Sequence, residues 1–184
     1  MAQNRSDLFF SERSALRTWL AQNFNQELGV WAVFYKKSTG LSDLSWEAIV
    51  EECLCFGWID SLPGKVDEIR TKIYISPRKA NSGWSRRNKE LLVDLQRQGL
   101  IEAPGLAAIE RAKANGSWER FDLAEALVTP SELDLALNED QDFALAWNNL
   151  TDSKKRQALQ QIYDAKTEET RLKRIYALKK SLTS

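Results

Sequence analysis

The spacing of apolar positions sets out the elements. Leu16, Trp19, Leu20 and Phe24 recur every three to four residues and predict an amphipathic helix. Ser11 is placed to cap its free N–H groups, and Gly29 closes the region. Val30–Tyr35 is a short β-branched and aromatic run, the pattern of a strand, and residues 36–40 turn the chain. Ser45 caps a second helix whose inward face is read as Trp46, Ile49, Val50, Cys53 and Leu54, with Gly57 as its left-handed stop. Residues 58–60 leave as a strand, and Leu62-Pro63-Gly64-Lys65 has the composition of a turn. Residues 69–76 return with strand alternation at Ile73 and Ile75.

Beyond residue 85 the pattern is helical. Ser85 and Asn88 begin a helix with Leu91, Leu92 and Leu95 on one stripe and Gly99 at its end. Pro104 suits a first helical turn, with Ile109 and Ala112 following and Gly116 stopping it. Thr129-Pro130-Ser131-Glu132 reads as a capping box. Phe143, Ala144 and Trp147 mark a short helix, and residues 153–165 bury Ala158, Leu159 and Ile162. Thr167 opens the last helix, with Leu172, Ile175 and Leu178 inward. The expected fold is α+β: a small antiparallel sheet of about three strands in the N-terminal half, then an all-helical C-terminal half. The 184 residues suit a single domain, 1–184, in which an α+β part (1–99) and a helical part (100–184) depend on each other.

Charge adds a second layer. Lys+Arg and Asp+Glu both number 26, so total charge points to no polyanionic partner. Along the chain the signs separate. Residues 100–150 hold three basic and ten acidic groups, net −7; residues 151–184 hold nine and four, net +5. The basic residues fall on the last two helices, where Arg171 and Arg174 share a side. Nucleic acid or an anionic membrane surface could bind there, but pairing with the acidic stretch is the simpler reading.

The absence of histidine removes the commonest general base and metal ligand. Cys53 and Cys55 alone make no structural zinc site and read as reduced, buried thiols. No nucleotide-binding loop, nucleophile elbow or cofactor motif is present, so no cofactor is expected. No apolar run reaches membrane-spanning length, and the first residues lack the apolar core of a secretory signal. The expected compartment is the cytoplasm.

Candidate chemistry gathers between residues 57 and 88. Arg78, Ser82 and Ser85 lie near a helix start, which suits an anion. Trp58 and Trp84 would stack on a flat ligand, Asp60 would orient Arg78, and Asn88 completes the set. The expected partner is a small anionic or aromatic ligand, or a protein segment, held between the sheet and the Ser85 helix. The same residues could instead be structural, as caps, an ion pair and core tryptophans. A carboxylate-based enzyme using Asp60 and Asp67 is the remaining alternative.

These residues also carry a resemblance. Cys55-Phe56-Gly57-Trp58-Ile59-Asp60, Pro77-Arg78, Ser82, Trp84-Ser85 and Asn88 resemble the signature of the YdeI/OmpD-associated family, whose name refers to bacteriocin protection. The likeness extends through Pro104-Gly105 and Gly116-Ser117-Trp118 to the ending at residues 165–175, nearly the whole chain. Where many members have an Arg-Phe pair, this chain has Tyr74-Ile75. The resemblance implies a link to the cell envelope and to bacteriocin tolerance. It supplies no catalytic residue or cofactor.

Overall fold

The computed structural model describes residues 6–183; the first five positions of the signal-peptide reading lie outside it. The fold is α+β. Among the described residues the sheet has four strands in the order β1-β2-β4-β3: β1 (Asp7–Phe9), β2 (Val30–Tyr35), β3 (Trp58–Lys65) and β4 (Arg70–Pro77). β4 is antiparallel to both neighbours, and β1 runs parallel to β2. The sheet is therefore mixed and one strand larger than expected. β1 is three residues long, too short to show a period.

The strand β3 corrects the expected turn at residues 62–65. The pairing shifts register between Asp60 and Pro63 and then continues to Lys65 opposite Thr71. Pro63 is tolerated because β3 is an edge strand, where a missing N–H breaks no inner ladder. The real turn follows at Asp67. Its carboxylate accepts from the backbone N–H groups of Ile69 and Arg70 at 3.1 and 2.7 Å.

The chain forms two compact units: residues 6–82 with 87–117, and residues 83–86 with 118–183. The first holds the sheet with α1 (Arg13–Asn23), α2 (Trp46–Cys55), α4 (Ala103–Ala114) and all but the first residue of α3 (Arg86–Arg97). Leu16, Leu20, Ile49, Cys53 and Leu54 are buried there with Ala32, Phe34, Trp58, Ile73 and Ile75. Helix α1 begins at Arg13, not Ser11, and Glu12 precedes it in extended conformation without a side-chain cap. Phe24 is exposed and leaves the expected stripe. Ser45 does cap α2, its hydroxyl accepting from the Ala48 N–H at 3.2 Å. Gly57 ends that region at φ +72°, and the start of α4 lies so close that a Cβ on Gly105 would stand 2.3 Å from the Cys55 carbonyl oxygen.

The second unit packs α5 (Asp122–Glu125), α6 (Ser131–Glu139), α7 (Gln141–Asn148), α8 (Asp152–Tyr163) and α9 (Glu168–Thr183). Its core joins Ala124, Leu133, Phe143, Trp147, Leu159, Ile162 and Ile175. The expected capping box at 129–132 does not form. Pro130 is extended, α6 starts at Ser131, and the Thr129 hydroxyl donates to the Asp134 carboxylate. Leu172, expected inward, is 48% exposed.

Both cysteines are free and buried in α2. Burial pushes the Cys53 thiol well up, and it pushes Cys55 to about 11 despite the opposing Arg17 guanidinium. The native thiols therefore resist a disulfide-exchange reagent at mildly alkaline pH, and both react once the chain is unfolded in guanidinium. Fast labelling of the native protein would contradict this. The neutral thiol is the form that the folded state favours. The Cys55 contribution to stability is thus complete below the ordinary thiol value of 9.0 and is lost as pH climbs through about 11.

Candidate functional site

The first turn of α2 overhangs the sheet near the start of β3. There Trp46, Glu47 and Val50 of α2, Asp60 of β3, and Arg87 and Asn88 of α3 line an open cavity of about 450 Å³. All six residues belong to the first unit. The Trp46 indole N–H donates to Asp60 Oδ2 at 3.0 Å, while the ring stays 42% exposed. Trp46 was expected inward. At the first helical position it lies past the apolar stripe and faces outward.

Glu47 sits where the helix start offers backbone N–H groups. Hydrogen bonding there, and to Ser45, holds its carboxyl below the usual range, with Lys37 and Arg87 adding attraction. The anionic group at this helix start is thus the chain's own. Two carboxylates face one arginine, so the lining is of mixed sign. A second cavity of about 390 Å³ shares Trp46 and Glu47 and adds Phe34, Lys36, Lys37, Ser45 and Thr71.

The seven residues singled out from the sequence fall in different places. Asp60 and Asn88 meet in the cavity lining. Arg78 is only 6% exposed. Burial lowers its guanidinium to about 10, opposed by Cys53 and Asp60, so it remains charged at neutral pH. Its backbone N–H donates to the Gly57 carbonyl at 3.0 Å, fastening the end of β4 to the turn after α2. Trp58 is fully buried. Its indole N–H donates to the Phe24 carbonyl at 3.0 Å, and its ring meets Trp19 edge-on at 5.5 Å. Ser82 is half-buried in a turn, its N–H donating to the Lys79 carbonyl. Trp84 and Ser85 belong to the second unit. Trp84 is 1% exposed beside Trp118, with ring centroids 5.1 Å apart. Neither tryptophan presents an open face for stacking. Trp46 and Arg87, which do line the cavity, carry no distinguishing sequence signal beyond an aromatic and a basic residue at two helix starts.

Asp60 and Asp67 are not a working pair. Six residues of mostly extended chain lie between them, roughly 20 Å at strand rise, against roughly 5–9.5 Å for paired catalytic carboxylates. Asp67 is engaged with Arg70 at 2.6 Å. Several basic residues of α8 and α9 meet acidic partners. Arg171 pairs with Glu132 and Lys179 with Asp140, each at 2.7 Å, and Arg156 lies 3.7 Å from Glu125. No group of three or more potential metal ligands occurs among the described residues. No described helix is long and apolar enough to cross a membrane.

The architecture defines an α+β protein with a small mixed sheet and a helical C-terminal unit. The chain belongs to the family described as Domain of unknown function (DUF8412), matched over residues 8–108. Residues 126–183 match the family described as Bacteriocin-protection, YdeI or OmpD-Associated. The resemblance to that second family is therefore carried by the C-terminal part, and the 55–88 motif block falls within the first match. No curated protein matches the chain. No solved structure matches it either.

Proposed function

We propose that this is a cytoplasmic binding protein serving bacteriocin or envelope-stress tolerance, and that it takes a small planar ligand bearing an anionic group at the Trp46 cavity. The observation that carries the reading is an open cavity in which a half-exposed indole, fixed through its N–H to Asp60, stands beside Arg87 and Asn88. The ring offers a stacking surface, Arg87 an ion-pair partner, and the Asn88 amide a donor. Asp60 and Glu47 accept from any N–H or O–H on the ligand. Arg78 acts from behind, its buried charge balancing Asp60 without touching the ligand. The bacteriocin association rests on the match over residues 126–183.

The test is thermal stabilisation of the full chain by millimolar benzoate, indole-3-acetate and adenosine monophosphate, chosen as planar anions. At least one raises Tm, because a ligand that binds only the folded state stabilises it by mass action. Trp46→Ala and Arg87→Ala fold normally, both side chains being exposed, and abolish that rise. No rise with any probe, or a rise that survives both substitutions, overturns the reading.

A further inference from the structure

Helices α8 and α9 leave their common seam unfilled. Two cavities of about 230 and 250 Å³ lie along it and share Ala158, Gln161 and Leu178, so they form one groove. The lining positions step regularly on both helices. They are 154, 157, 158, 161 and 162 on α8, and 174, 177, 178, 181 and 182 on α9. That is the i, i+3, i+4, i+7 spacing by which each of the two helices faces the other and the groove left above their contact. One layer below, Leu159 and Ile175 fill the core. In the groove itself Ala158, Ala177 and Ser181 are too small to close the space between Leu178, Leu182 and Ile162. Small residues on a groove floor let a third backbone approach closely.

Charge identifies the occupant. No acidic side chain lines either cavity, and each carries one cation: Arg174 in one and Lys154 in the other. The two cations mark opposite ends of the groove. Eight residues of helix, about 12 Å, separate Lys154 from Ile162, which lies at the Arg174 end. We infer that the α8–α9 groove is a docking site for an amphipathic helix of a protein partner, with an apolar stripe of about two turns and an acidic residue at each end. The apolar stripe fills the seam over Ala158 and Ala177. The acidic ends meet Lys154 and Arg174 and set its position along the seam. A nucleic acid would meet the two cations but leave the apolar floor unused. A second copy of this chain would have to bring an acidic helix to the same seam.

The experiment uses the full chain and a fluorescein-labelled synthetic peptide of three helical turns, with leucines at i, i+3, i+4 and i+7 and glutamates at both ends. Binding is followed by anisotropy, and the contact surface by backbone amide shifts. The expected result is saturable binding with shifts confined to the 154–162 and 174–182 stripes. Ala177→Glu and Lys154→Glu, both at exposed positions, keep the native circular dichroism and weaken binding about tenfold or more. A peptide with lysines for the glutamates binds at least about tenfold more weakly. Equal binding of the lysine peptide or of a scrambled sequence overturns the inference, as does binding that both substitutions leave unchanged. Displacement of the peptide by an unstructured oligonucleotide, with a steep salt dependence, overturns it in favour of a polyanion site. A dimer in solution that Ala177→Glu converts to monomer overturns it in favour of self-association.

Discussion

Glu52→Ala destabilises the protein by about 3 kcal/mol or more, among the largest losses expected of any single surface-adjacent substitution. Glu52 is 2% exposed. Its Oε1 accepts from Arg13 Nε at 2.6 Å and its Oε2 from Arg17 Nη1 at 2.9 Å. Arg17 in turn donates through Nη2 to the Leu100 carbonyl at 2.9 Å and to Glu102 at 2.7 Å, and lies over the Phe56 ring. One carboxylate thus ties α1 to α2 and, through Arg17, to the segment entering α4. Burial pulls both guanidiniums down, and Glu52, helped by Glu51 at Arg13 and by Cys55 at Arg17, reverses this and leaves each above its ordinary value.

Removing Glu52 takes away the acceptor the two arginines share and leaves Arg13 to Glu51 and Arg17 to Glu102, at 2.8 and 2.7 Å. The arginines are about a third exposed, so water recovers part of the loss. Glu52→Gln keeps the hydrogen-bonding shape and loses the charge, and is expected to cost about half as much. Urea denaturation read by circular dichroism measures both. A loss below about 1 kcal/mol for Glu52→Ala would show that the cluster is solvated and that α1 is held by apolar packing alone.

How much of this was legible in the residues depends on whether the information was local. β2 was legible because a β-branched and aromatic run has one good use, and Ser45 because a hydroxyl before an apolar stripe is a local signal. β1 was not, because a three-residue strand owes its existence to its parallel neighbour. The 62–65 segment misled because proline and glycine describe a turn equally well as an edge strand at a register shift. Leu172 followed the helical period and still faces out, because a period fixes a face and not which face is covered. The same division holds at the candidate site. Asp60 and Asn88 could be picked as polar residues at a strand and a helix start. That Trp46 would swing outward to Asp60, with Arg87 beside it, depends on how α2, β3 and α3 meet, which no local pattern records.

Trp58 tests that division most directly, since the sequence supports both a stacking surface and a core residue. The structure buries it completely among Trp19, the sheet and α2, with its indole N–H spent on the Phe24 carbonyl. Trp58→Ala is therefore expected to lower stability by about 3–5 kcal/mol through the cavity it leaves. It also leaves the Phe24 carbonyl without its donor, an additional loss of about 1 kcal/mol. Trp58→Phe restores most of the volume and should recover more than half of the deficit, because packing outweighs the single hydrogen bond. Denaturation midpoints separate the two. If Trp58→Ala kept the wild-type midpoint and lost only the binding of a planar anion, the ring would be a ligand surface after all. The proposed site would then move from the Trp46 side of α2 to the interior beside Trp19.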